Sequence, residues 1–117
     1  MDFSVEFYVT AGGRSPVREF LLELKTSDPD DFAAMAAGLE KLRHRQYHRA
    51  PLSKAVGHGL FELRHVGKLN TRILWFFVRG RRIIAVHGIR SKGQPIAAHD
   101  LAVARERMRD WQERNEK

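Results

Sequence analysis

The chain has 117 residues, 43% of them hydrophobic and 9% aromatic, with 21 Lys and Arg, 14 Asp and Glu, and a formal net charge of +7. One domain over 1–117 is the default at this length, and no apolar run approaches the ~20 residues of a membrane span. The absence of cysteine excludes disulfide scaffolds, thiolate metal sites and cysteine nucleophiles.

Residues 2–9 place Phe3, Val5 and Phe7 on one side and Ser4 and Glu6 on the other, the alternation of a half-buried strand. Ser15-Pro16 predicts a helix start, Ser15 as N-cap and Pro16 at the first position, followed by a stripe of Val17, Phe20, Leu21 and Leu24. Asp28-Pro29 predicts a second start, with Asp30 and Asp31 at the positive end of the helix dipole. Phe32, Met35, Ala36, Leu39 and Leu42 form its expected buried face, and Lys41, Arg43, His44 and Arg45 its basic end. The two helices read as a hairpin.

Residues 47–59, with Pro51, Gly57 and Gly59, read as a loop. From Leu60 the period becomes two, predicting strands at about 60–66, 70–78 and 82–88 in an antiparallel meander. A last helix over about 97–114 carries Leu101, Ala104, Met108 and Trp111. The order β-α-α-β-β-β-α predicts an α+β domain, a mostly antiparallel sheet with helices on one side. The N-terminal residues lack the basic and apolar regions of a signal peptide, so a cytoplasmic location is expected.

Charge is unevenly spread: −5 over residues 1–40, +5 over 41–59, +7 over 60–92 and 0 over 93–117. The excess of +12 over 41–92 coincides with the expected sheet and fits either phosphates or an acidic protein partner. Strand parity puts Phe61 and Leu63 on one face and Glu62 and Arg64 on the other. Arg72, on an otherwise apolar strand, is either an anchor to Glu62 or a functional guanidinium. His87 is either a hydrogen-bonding core histidine or an acid–base group, and Lys92 either a solvated loop lysine or a phosphate contact. His44 and His48, four apart, are weak evidence for a metal, and no metal or cofactor is expected.

Gly59-Leu60-Phe61-Glu62-Leu63-Arg64, then Thr71-Arg72-Ile73-Leu74-Trp75-Phe76-Phe77, then the run from Gly80 to Lys92, then Pro95, resemble in order the phage-derived Gp49-like, HigB-like branch of the RelE/ParE toxin superfamily. The likeness is close over about 57–111. Trp75 stands where that pattern has Tyr, Ile89 where it has Phe, and Ser91-Lys92 where it has a Lys pair. The resemblance implies a type II toxin–antitoxin toxin: an endoribonuclease that cuts mRNA on the translating ribosome. A cognate helix-turn-helix antitoxin would neutralise it, the toxin being a monomer or part of a toxin–antitoxin hetero-oligomer. By motif, Arg64, Arg72, Lys92 and, less directly, His87 would be the catalytic residues. Arg43, Arg45, Lys54, Lys68, Arg81, Arg82 and Arg90 are read as a footprint for RNA.

RNA carries its own nucleophile, the 2′-OH, so a metal-independent nuclease needs a base, charge for the phosphorane and an acid for the 5′-oxygen. Arginine suits the phosphorane because its fork matches phosphate oxygens and stays charged. On this reading Arg72→Ala is expected to abolish cleavage in a protein that stays folded. Two other functions compete: a ParE-like toxin that binds DNA gyrase without chemistry, and an inactive basic module that binds RNA or protein.

Overall fold

The computed structural model describes residues 2–67, 69–92 and 95–116. In chain order these form β1 (Ser4–Phe7), α1 (Pro16–Ser27), α2 (Pro29–Lys41), a 3-10 turn (Arg45–Tyr47), β2 (Ser53–Gly57), β3 (Leu60–Val66), β4 (Asn70–Val78), β5 (Arg82–Ser91) and α3 (Ala98–Asn115). The five strands make one sheet ordered β1-β5-β4-β3-β2. The expected meander is β3, β4 and β5, joined antiparallel; β1 adds parallel to β5.

Two features differ from the sequence expectations. The segment expected as a loop contains β2, an edge strand antiparallel to β3. Its Ser53 is buried while Lys54, Ala55 and Gly57 are exposed, so it carries no apolar alternation and owes its extended form to pairing with β3. The helices also do not share one side of the sheet. The α1–α2 hairpin packs on the face of Leu63, Ile73, Trp75, Ile83 and Ala85. Helix α3 covers the other face through Ala104 and Trp111, against Leu60, Leu74, Phe76, Ile84 and Val86. The cause is β4, buried from Asn70 through Phe76 and apolar on both faces from Ile73 onward, so that one helical layer would leave half of it in water.

The helix starts follow their sequence signals with one exception. The Asp28 carboxylate accepts from the Asp31 amide at 3.2 Å, capping α2, and Pro29 opens the helix. Pro16 opens α1, but the Ser15 hydroxyl makes no capping bond. On α2, Met35, Leu39 and Leu42 are buried as expected, whereas Ala36 is exposed. Gly38 takes the sheet-facing place: a Cβ there would lie 2.9 Å from Leu63 Cδ1, so glycine lets α2 approach β3. Asp31 is also buried and accepts a hydrogen bond from the Thr71 hydroxyl.

Candidate functional site

Register builds the site. Lys54 pairs with Glu62 between β2 and β3, and Arg64 pairs with Arg72 between β3 and β4. Cross-strand partners share a face, and residues two apart along a strand share it too. Lys54, Glu62, Arg64 and Arg72 therefore all project on the α3 side. There they line a cleft of about 300 Å³ closed by Pro95, Ile96 and Leu101.

Within this cleft the two arginines differ in environment. Arg72 is 1% exposed, and its Nε lies 3.0 Å from Oε2 of Glu62, itself 4% exposed. Arg64 is exposed and forms no ion pair with a described carboxylate. Lys54 is likewise exposed. The cleft is thus a buried, carboxylate-held guanidinium at the floor with two solvent-facing cations at the rim. Such a set matches a phosphodiester: fixed charge in a partly dry place, with mobile cations at the mouth. Because Arg72 and Glu62 are both buried, Arg72→Ala tests stability as well as chemistry, contrary to the sequence expectation of an untouched fold.

His87 does not join this cleft. It lines another, of about 300 Å³, with Arg14, Glu19, Glu23 and Arg107. A register shift in β5 between Ala85 and His87, opposite Trp75 and Leu74, turns the imidazole towards α3. There Nε2 meets Asp100 Oδ1 at 2.8 Å and Nδ1 meets Arg107 Nη1 at 2.9 Å. Arginine only donates, so Nδ1 accepts and the ring carries its proton on Nε2, donated to Asp100. Burial pushes the imidazole pKa below 6.5, with Arg107 adding to the shift and the Asp100 hydrogen bond opposing it. Both ring nitrogens are engaged, so His87 ties β5 to α3. Asp100 and Arg107 sit on the buried stripe of α3, in the progression 100, 104, 107, 111. Polar residues on that stripe were the sequence signal for His87's partners.

Lys92 is exposed and follows β5, three residues before Pro95 of the cleft wall. The expected RNA footprint divides. Arg43 bonds Glu40 at 2.7 Å and approaches Asp2 at 3.4 Å. Arg82 grips Glu6 with two bonds of 2.7 and 2.9 Å, which lowers the Glu6 pKa. Arg90 pairs with Asp28 and lies 3.4 Å from Asp31, clamping β5 to the start of α2. All three are held in ion pairs, Arg90 the most buried of them at 22% side-chain exposure. Arg45 and Arg81 are exposed, and Lys68 lies outside the described residues. Arg81 sits in the β4–β5 turn, beyond the other end of β4 from Arg72, about 20 Å along the strand at ~3.4 Å per residue. The +12 excess is therefore not one surface.

The two histidines four apart each have a neighbour of their own. His44 lies 3.5 Å from Asp2, and the His48 ring donates from Nε2 to the Leu42 carbonyl at 2.5 Å. No helix among the described residues is long and apolar enough to cross a membrane.

Comparison with the curated proteins finds no match. The family described as phage-derived protein Gp49-like (DUF891) matches residues 19–109, which run from α1 through most of α3 and include every strand of the candidate cleft. The chain belongs to this Gp49-like family, which lies in the RelE/HigB-like toxin group.

Proposed function

We propose that this protein is the toxin of a type II toxin–antitoxin pair and cleaves mRNA on the translating ribosome. The observation that carries the reading is the pairing of Arg64 with Arg72 on one sheet face. Arg72 is held by Glu62, and Arg64 has no described carboxylate partner. Membership of a family in the RelE/HigB-like toxin group supports the same reading.

The 2′-oxygen of the substrate attacks the adjacent phosphorus and the bond to the 5′-oxygen breaks, leaving a 2′,3′-cyclic phosphate and a 5′-hydroxyl. Arg64 and Lys54 hold the phosphate, and Arg72 beneath them stabilises the charge gathering on the phosphorane. Lys92 protonates the departing 5′-oxygen. Glu62 is engaged by Arg72, so the 2′-OH proton passes to water or to the ribosome–mRNA complex. So few reacting groups require the ribosome to supply orientation, consistent with a target that is mRNA in place rather than free RNA. The exposed cations at the rim also suit an acidic segment of a helix-turn-helix antitoxin, which would cover the cleft.

The test incubates purified protein with translating ribosomes and maps new mRNA ends. Discrete ends carrying 5′-hydroxyls, lost with Arg64→Ala, are expected. Intact mRNA together with co-purification of gyrase would replace this reading with a ParE-like one.

A further inference from the structure

Arg64 is the shared wall of two clefts. One is the phosphate cleft described above. The other, of about 460 Å³, is lined by Lys41, Gln46, Tyr47, Arg49, Pro51 and Leu52 together with Arg64. That volume falls in the range of about 300–1,000 Å³ typical of small-ligand sites. Three cations and no carboxylate stand among its lining residues. The Lys41 ammonium lies 5.6 Å from the centroid of the Tyr47 ring, so a phosphate-seeking charge and an aromatic surface occupy one place.

The walls are fixed by backbone bonds rather than left as a free loop. The Ser53 hydroxyl donates to the Tyr47 carbonyl at 2.6 Å, and the Ser53 amide to the Arg49 carbonyl at 3.1 Å. The Arg64 amide donates to the Leu52 carbonyl at 3.2 Å, joining this cleft directly to β3. A ligand entering it meets preset walls and so pays little to order them.

We infer that this second cleft takes a nucleobase of single-stranded RNA, the nucleotide next to the phosphate held at Arg64. This rests on the phosphate role proposed for Arg64. Tyr47, Pro51 and Leu52 offer the aromatic and apolar surfaces on which a base stacks. The Gln46 amide, with one acceptor and two donors, reads the edge of the base, and Lys41 and Arg49 hold the flanking backbone. Tyr47 and Gln46, in the 3-10 turn ahead of β2, are then the residues that set base preference.

The experiment measures anisotropy of fluorescein-labelled pentanucleotides of A, C, G and U with the full chain, without ribosomes. Wild type is expected to bind the four unequally. Tyr47→Ala should weaken the best of them about tenfold, the usual scale for losing one stacked base. Tyr47→Leu, which keeps apolar volume, should lose the same affinity, and thermal melts confirm that both variants fold. Gln46→Ala should bring the four affinities together. Arg64→Ala should weaken all four and reduce their salt dependence. If the Tyr47 and Gln46 variants bind like wild type while Arg64→Ala weakens binding, the base cleft is wrong and the phosphate role survives. Unchanged binding by Arg64→Ala overturns both, whereas no binding by wild type overturns the base cleft alone, because the cleavage reading relies on the ribosome to orient the RNA.

Discussion

Arg64 and Arg72 stand directly opposite each other on adjacent antiparallel strands, one in solvent and the other 1% exposed. Like charges in that position repel and destabilise a sheet. The repulsion is offset by Glu62, two residues before Arg64, whose Oε2 lies 3.0 Å from Arg72 Nε. Two arginines opposed in a sheet work against folding, and the proposed site rests on that pair. The two should separate by mutation. Arg64→Ala is expected to keep stability within about 0.5 kcal/mol, as exposed substitutions do, while abolishing RNA cleavage. Arg72→Ala should cost about 3–5 kcal/mol in urea denaturation, because Glu62 is left buried and uncompensated. Replacing both Arg72 and Glu62 with Met should recover most of that stability and none of the cleavage.

Salt dependence should sort the basic residues. For single strands, each phosphate contact contributes about 0.7 to the slope of log affinity against log salt. Lys54→Ala should reduce that slope by about this amount without changing the melting temperature. Arg90→Ala should do the reverse. Its guanidinium pairs with Asp28 and faces Asp31, so its loss loosens β5 from α2 and leaves RNA affinity and slope unchanged. Equal slopes for wild type and Lys54→Ala would remove Lys54 from the phosphate site.

His87 should make stability depend on pH. Burial holds its pKa below the 6.5 of the unfolded chain. As pH falls through about 6.5 the unfolded imidazole takes up a proton and the folded one does not, so unfolding is favoured. The stability associated with His87 is therefore complete above about 6.5, declines as pH drops towards the folded value, and levels off below it. Denaturation midpoints measured between about pH 7.5 and 5 should fall, and His87→Gln should flatten that fall. A steeper fall in the variant would contradict the assignment.

The contact between α1 and β5 depends on one glycine. A Cβ at Gly88 would lie 2.4 Å from the ring of Phe20, a distance at which the ring or the helix that carries it must shift. Gly88→Ala is expected to cost about 1–3 kcal/mol, the usual penalty for overpacking, read as a lower midpoint in urea. Combining it with Phe20→Leu should recover part of the loss, because the smaller side chain makes room.

Periodicity in this sequence identifies β3, β4, β5 and the three helices, because each carries an apolar face whose repeat matches its own geometry. The Asp28-Pro29 start, the buried stripe of α3 and the placing of Glu62 and Arg64 on one face of β3 follow from local spacing alone, whereas the β3–β4 register brought Arg72 to that face. So does the family likeness, which rests on short motifs in order. β2 was not legible, since an exposed edge strand is defined by its neighbour's hydrogen bonds and not by its own side chains. The division of the helices between two faces was decided by burial of β4 on both sides. The fate of each charge was likewise a tertiary matter. Arg43 meets carboxylates 3 and 41 residues away, Arg82 one 76 away and Arg90 one 62 away, and His87 is drawn to Asp100 and Arg107 by a shift in register. Composition and pattern determined that a basic α+β domain would form and that Glu62 and Arg64 would share a face of their strand. Only the packed chain decided which of those cations stay available, because an ion pair depends on distance in space, and spacing along the sequence sets that distance only within a single element.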